Sequence, residues 1–243
     1  MKKKLPALLA WLLLSATLFG QYNLMSAPGD LTYTQVADSI FSPISKSQVT
    51  TGILYDRVAP FAGLHAFKST DTSSYLHFFL AYSELYSAAY NNGTMMKAAQ
   101  IDTLSNAMYY TNNVIPVGVL YYDFNLIDTL AIANNLLYQG SDSLLHDVTG
   151  RTGNPFKLKT ITVAAALSQD TLDYGTGNIT FKYINQLFLT NKGVTISSIY
   201  ADFGSGNQNL SSGNNVTVFY PTSGKKTIKF TITYSNAQTA IVY

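Results

Sequence analysis

Three histidines and one glutamate are the side chains with the clearest capacity for acid–base chemistry. His65, His77 and His146 lie far apart in the sequence, so no pair has the short spacing of a local zinc motif. His77 and Glu84 are seven residues apart and could share a helical face as base and orienting group. A catalytic site needs a third group as well, and we favour a histidine at the margin of an aromatic stripe over an active site.

A second candidate is the stretch IYADFGSGN, residues 199–207, in which Asp202 precedes Gly204 and Gly206. It could supply a catalytic or metal-binding carboxylate, a phosphate cradle, or a turn between strands. A phosphate cradle needs a helix after its glycines, whereas the following residues predict a loop and a strand. We therefore predict a structural turn in which Asp202 accepts backbone N–H bonds, with calcium or ligand contact as the alternative.

Two further clusters of polar residues match the spacing of known catalytic or calcium-binding motifs less well. Residues 141–147, SDSLLHD, place serine, aspartate and histidine together, but catalytic triads are assembled from distant segments, so a loop is the better interpretation. Asp170, Asp173 and Asn178 resemble a calcium loop only loosely, because the required spacing and closing glutamate are missing. We predict no catalytic, cofactor-binding or metal residue, and calcium remains the one cofactor left open.

The N-terminal residues predict that the protein is secreted, and the composition excludes several classes of function. Three lysines, an apolar run of about ten residues and small residues up to Gly20 have the layout of a secretory signal peptide, too short to span a bilayer. Without Lys2, Lys3 and Lys4, 12 basic residues face 13 acidic ones. No basic face for nucleic acid remains, no later segment reaches transmembrane length, and the lack of cysteine excludes disulfides.

The elements that must position these side chains change character along the chain. Residues 72–91 carry a helical aromatic stripe, capped by Asp71, Thr72 or Ser73, and a second helix is predicted from Met95 to about Thr111. The stripe comprises Tyr75, Phe78, Phe79, Tyr82, Leu85, Tyr86 and Ala89. In the second helix we predict an inward face of Met96, Ala99, Leu104, Ala107 and Met108.

Strand patterns follow. Residues 114–127 predict a strand that Pro116 confines to a sheet edge or a strand start. From residue 156 onward the pattern is all strand, and the predicted strands are 157–167, 178–183, 185–190, 194–203, 214–220, 225–234 and 238–243.

Within residues 196–234 the sequence resembles a PKD-type, immunoglobulin-like domain. Asp202-Phe203-Gly204 and Gly206 match the first half of the family pattern, and Tyr220, Gly224 and the strand 227–234 match the second. Ser205 stands where the family usually has aspartate, and Ala201 where a tryptophan is common. The resemblance implies an antiparallel β-sandwich and a structural role for these residues.

The N-terminal stretches TTGILYDRVAPFAGL, HFFLAYSELYSAAY and DFNLIDTLA resemble the N-terminal region of long secreted Bacteroidota-type proteins of unknown function. Those chains continue into further domains, and we expect this one to be an N-terminal segment or a shortened relative. The predicted class is α+β: a helical hairpin with associated strands, then a PKD-like, Ig-like β-sandwich. The predicted divisions are a signal peptide (1–20), a low-order lead (21–50), a mixed region (51–150) and the sandwich (151–243).

These patterns favour a secreted, non-catalytic module at the cell surface or in the extracellular space, which acts as a spacer, adhesion or binding domain. Its expected partners are extracellular proteins or glycans, contacted through sheet edges and loops. The alternative is an accessory N-terminal region of a larger secreted hydrolase whose catalytic domain lies beyond residue 243.

Overall fold

The computed structural model describes residues 33–168 and 177–243, and the chain divides into two units after Ser42. The predicted signal peptide lies outside the described residues. These residues form an α+β structure of three helices, two short 3₁₀ turns and ten strands. Helix α1 (Tyr33–Ile40) belongs to the first unit, within the segment predicted as a low-order lead. The second unit, from Pro43, contains the remaining elements.

Their bounds are as follows. The helices are α2 (Tyr75–Ala88) and α3 (Ala98–Asn112), and the 3₁₀ turns are Tyr55–Arg57 and Leu64–Ala66. The strands are β1 (Ile115–Ile127), β2 (Leu137–Gln139), β3 (Leu145–Asp147), β4 (Phe156–Ala166), β5 (Asn178–Thr190), β6 (Ile196–Asp202), β7 (Asn207–Asn209), β8 (Asn215–Phe219), β9 (Lys229–Tyr234) and β10 (Thr239–Val242).

Strand β1 is an inner strand of the first four-stranded sheet, whose order is β4-β1-β5-β8. It runs antiparallel to β4 and parallel to β5, and β5 runs antiparallel to β8. Pro116 is its second residue, so of the two predicted placements, a sheet edge or a strand start, the structure has the strand start. The predicted boundary at residue 150 falls between β3 and β4, and residues on both sides of it share this sheet.

The second four-stranded sheet has the order β10-β9-β6-β7, and all its pairs are antiparallel. Its inward side chains share one hydrophobic cluster with one face of the first sheet; Val117, Val119 and Tyr121 of β1 lie in this cluster. Tyr121 stacks on Tyr234 of β9 with ring centroids 4.1 Å apart and an interplanar angle of 9°. Burial raises the pKa of Tyr234 to about 12.

Helices α2 and α3 pack on the other face of the first sheet. The alternate residues of β1, Leu120, Tyr122 and Phe124, lie in a cluster with both helices. Every residue of the predicted α2 stripe belongs to this cluster or packs against it, so the stripe is confirmed as core. The predicted caps are wrong, because the helix begins after Ser74, whose hydroxyl accepts from the His77 N–H.

The inward face of helix α3 differs in part from the one predicted. Met96, Leu104 and Met108 contact the core as expected. Ile101, Ser105 and Met108 are buried, at i, i+4 and i+7, whereas Ala99 and Ala107 are exposed. Ser105 lies on the inward face, and because serine is polar the spacing of apolar residues did not indicate this face. The predicted inward placement of the two alanines is therefore wrong, while that of Met108 is confirmed.

Gly118 allows α2 to approach β1 closely. A Cβ atom at this position would lie 2.7 Å from Leu167 Cδ1 and 2.7 Å from Phe78 Cζ. Both side chains are almost completely buried, so neither can move aside without disturbing the core. The missing side chain at residue 118 thus sets the spacing between the helix and the sheet.

We predict that Gly118→Ala lowers the free energy of unfolding by about 1–3 kcal/mol, because it overpacks this contact. The measurement is urea denaturation followed by circular dichroism. Gly193→Ala is the matched control, since a Cβ atom there meets nothing within 4 Å. Equal stability of the two variants would contradict the role of Gly118.

Candidate functional site

Asp202 ends strand β6 and opens a tight turn into β7. Its Oδ1 accepts the N–H of Gly204 at 2.9 Å and the N–H of Gly206 at 3.1 Å. Both glycines have left-handed φ angles, 92° and 97°, which side-chain-bearing residues rarely adopt. Asp202 and Asn207 are paired across the two strands. Because a strand and not a helix follows the glycines, the stretch lacks the geometry of a phosphate cradle.

The other residues of the predicted turn motif lie in and around the same end of the second sheet. Phe203 is buried between the sheets, with its ring centroid 4.6 Å from that of Phe181. Burial and then the charge of Asp202 raise the pKa of Tyr220, so the phenol lies within electrostatic reach of the turn. Gly224 has a φ of 113° in the loop between β8 and β9.

Glu84 is fully buried on α2 and accepts hydrogen bonds from the segment before that helix. The Tyr55 hydroxyl donates to its Oε2 at 2.6 Å, and the Leu64 N–H donates to the same oxygen at 3.3 Å. The N–H groups of Phe61 and Ala62 donate to Oε1. A buried carboxylate that accepts this many hydrogen bonds holds the loop in place.

The loop around Glu84 depends on one left-handed residue. Gly63 has a φ of 63° and directly precedes the 3₁₀ turn Leu64–Ala66, which allows successive N–H groups to converge on one carboxylate. Burial, followed by the hydrogen bond to Glu84 and its charge, raises the pKa of the Tyr55 phenol. The ring of His65 lies 5.9 Å from that of Tyr55.

His77 does not join Glu84 in an acid–base pair. His77 is exposed at the first turn of α2, where its Nδ1 lies 3.1 Å from the Ser74 hydroxyl. Glu84 is about two turns further along the helix, roughly 10 Å by helical rise, and its bonds all go to the preceding loop. The described arrangement of these two residues is structural.

The SDSLLHD segment forms the connection and the second strand of the β2–β3 hairpin. His146 Nε2 lies 3.0 Å from both carboxylate oxygens of Asp142, and its ring stacks on that of Tyr138 at 5.3 Å. The hydrogen bond from His146 lowers the pKa of Asp142. In the described structure His146 has no bond to a serine hydroxyl, so the segment lacks the geometry of a nucleophile and its base.

A cluster around Asp123 was not predicted from the sequence. The Lys192 ammonium lies 2.7 Å and 2.6 Å from its two oxygens, and the Thr160 hydroxyl donates to Oδ1. These residues come from β1, β4 and the loop after β5, so only the sheet order brings them together. Their separation in sequence carries no local signal.

The predicted calcium loop is only partly described. Asp170 and Asp173 lie outside the described residues, and Asn178 is the first residue of β5. Within residues 33–168 and 177–243, no group of three or more His, Cys, Asp or Glu could hold a metal ion. In the same ranges no helix is both long and apolar enough to cross a lipid bilayer.

The chain matches no family model, no curated protein and no solved structure.

We predict that Glu84→Gln lowers the free energy of unfolding by about 2–3 kcal/mol. The glutamine side chain has an NH2 group in place of one carboxylate oxygen, and this donor would face N–H or O–H donors of the loop that have lost their acceptor. Tyr55→Phe, which removes one donor only, should lower it by about 1 kcal/mol. Urea denaturation measures both. A glutamine variant no less stable than the phenylalanine variant would contradict the role of Glu84 in holding the loop.

We predict that Asp202→Ala lowers stability by about 1–2 kcal/mol through loss of the two turn hydrogen bonds. Asp202→Asn keeps the oxygen acceptor and should stay close to the native melting temperature. Thermal denaturation by circular dichroism compares the three proteins. An unchanged melting temperature for the alanine variant, together with loss of a ligand or calcium response, would assign Asp202 to binding.

Proposed function

We propose that this chain is a secreted, non-catalytic module that acts as a spacer, adhesion or binding domain in the extracellular space or at the cell surface. The observation that carries the proposal is the hydrophobic cluster shared by the facing sides of two four-stranded sheets. Stacked sheets with one common core are the architecture of rigid extracellular modules. The signal-peptide pattern at the N-terminus supports the same destination.

We further propose that the strands from β4 onward, with β1, form a PKD-like β-sandwich. The turn after Asp202 and the nearby phenol of Tyr220 are consistent with this interpretation. We also propose that α2 and α3 make the predicted helical hairpin. The Tyr82 hydroxyl donates to Met96 O at 2.5 Å, and the Tyr75 hydroxyl donates to Asp102 at 3.2 Å, which supports contact between these segments.

The outer edge of β8 is our candidate contact surface for an extracellular protein. Tyr220 donates its N–H to Gly177 O at 2.8 Å, so by strand alternation the backbone groups of Thr217 and Phe219 point away from β5. Strand β8 carries no charged residue and no proline, the features that usually protect an edge from pairing. A partner strand could therefore add here through main-chain hydrogen bonds.

The opposite edge of the first sheet is protected. Strand β4 carries Lys157 and Lys159. The Ser73 hydroxyl donates to Ala164 O at 2.7 Å and to Tyr243 O at 2.9 Å, which closes the sheet edge near the C-terminus. This asymmetry favours β8 as the side that receives a partner.

The test is a screen of the purified chain against immobilised extracellular proteins and glycans, with calcium and with a chelator. We expect saturable binding to a protein that persists in the chelator. Thr217→Pro should reduce that binding at least tenfold, because it removes an outward N–H, whereas Thr217→Ala keeps the N–H and should bind normally. Equal binding by both variants would exclude the β8 edge, and absence of any saturable partner would contradict the binding role.

A further inference from the structure

A cleft lies where the C-terminal end of α3 meets the outward face of β5 and β8. Its volume is about 430 Å³, within the range of about 300–1,000 Å³ that is usual for small-ligand sites. The residues that line it are Met108, Asn112, Val114, Lys182, Ile184 and Asn215. It is separate from the backbone edge of β8, because it opens on the face of the sheet.

Lys182 gives the cleft its charge. This lysine is half-buried and makes no ion pair or hydrogen bond within the described residues. Two other lysines form ion pairs: Lys157 lies 2.7 Å from Asp128, and Lys192 lies 2.6 Å from Asp123. Among the described residues no carboxylate lines the cleft, so the one ionic group in its described lining is the Lys182 ammonium.

The other lining groups supply hydrogen bonds and an apolar wall. The side-chain amides of Asn112 and Asn215 each offer donors and an acceptor, while Met108, Val114 and Ile184 are apolar. This combination suits a ligand with several hydroxyl groups and an apolar ring face. The Lys182 ammonium in the cleft suits a ligand that also carries a carboxylate.

The polar surface continues from the cleft along the two strands. In the β5–β8 register Lys182 faces Asn215, Thr180 faces Thr217 with their hydroxyls 2.9 Å apart, and Asn178 faces Phe219. The row spans roughly 13 Å along β8 at about 3.3 Å per residue. It ends at the Phe219 ring, which is 62% exposed and available for stacking. An extended ligand of several repeating units fits such a row.

We propose that this cleft and the polar row beyond it bind an acidic oligosaccharide, with the carboxylate of one uronic acid residue on Lys182. The amides of Asn112 and Asn215 bind its hydroxyl groups, and Phe219 stacks on a later sugar. The proposal deepens the proposed extracellular role, because such glycans are met outside the cell. It does not depend on the β8 edge or on a protein partner.

The test is isothermal titration calorimetry of the purified chain with trigalacturonate and with the neutral galactose trimer. We expect the acidic trimer to bind at least tenfold more tightly than the neutral one, and its affinity to fall as salt is added. Lys182→Gln should weaken binding of the acidic trimer at least tenfold. Galacturonate alone should bind more weakly than its trimer, because it cannot reach Phe219.

Lys225→Gln is the matched control, since Lys225 is exposed in the loop between β8 and β9 and should leave the affinity unchanged. If Lys182→Gln alters the circular dichroism spectrum, Asn112→Ala on α3 serves instead and should weaken binding at least threefold. Equal affinity for both trimers, no binding of trigalacturonate, or full affinity in the Lys182 variant would overturn the proposal. A protein partner found in the screen would leave the proposed function standing in each of those cases.

Discussion

Strand β1 buries both of its faces, and this requirement organises the second unit of the chain. Its alternate residues enter two different hydrophobic clusters, one beneath the helices and one between the two sheets. An inner strand of this kind needs cover on both sides, which explains its nearly continuous apolar sequence, IPVGVLYYDFNLI. The second sheet therefore covers one face of β1, and helices α2 and α3 cover the other.

The helix layer carries its own constraint in Glu84. The buried face of helix α2 includes Glu84, the one charged residue of this helix. Backbone N–H groups of segment 55–64 and the Tyr55 hydroxyl donate hydrogen bonds to this carboxylate. These bonds offset the cost of burying Glu84 and attach the segment to α2. Removal of the carboxylate would leave these donors without an acceptor, which links the N-terminal loop to the position of the helix on the sheet.

The spacing of apolar residues predicted most helices and strands, because the buried face of each one is set by residues within its own segment. Both α2 and α3 lie inside their predicted ranges to within a residue, and all seven strands predicted after residue 156 overlap separate observed strands or halves of one. The break predicted between residues 183 and 185 falls within the continuous strand β5, where the pairing of β5 with β1 shifts register. The alternation of residues does change at this point, but a register shift and the end of a strand change it in the same way, so the sequence alone does not distinguish them.

What the sequence could not reveal depends on neighbours that are distant in the chain. Strand β7 is three polar residues, Asn207–Asn209, and only its pairing with β6 makes it a strand. The inward position of Ser105 and the ion pair of Asp123 with Lys192 likewise exist only in the folded arrangement. The Asp202 turn differs, because its partners lie two and four residues away and its geometry follows from local sequence.

The proposed glycan cleft follows from the extent of the helix layer. Helix α3 stops at Asn112, and Asn113 takes a left-handed conformation with its N–H bonded to Tyr109 O, so the chain turns toward β1. The C-terminal half of β5 lies beneath the helices and is apolar there, with Leu187 and Leu189 in the core. Its N-terminal half lies beyond them and carries Thr180 and Lys182 on the same face. The change from leucine to lysine along one strand marks where the helices stop covering the sheet. Within residues 33–168 and 177–243 the Lys182 ammonium has no ion-pair partner, and a buried-core role does not account for a charged group at that limit.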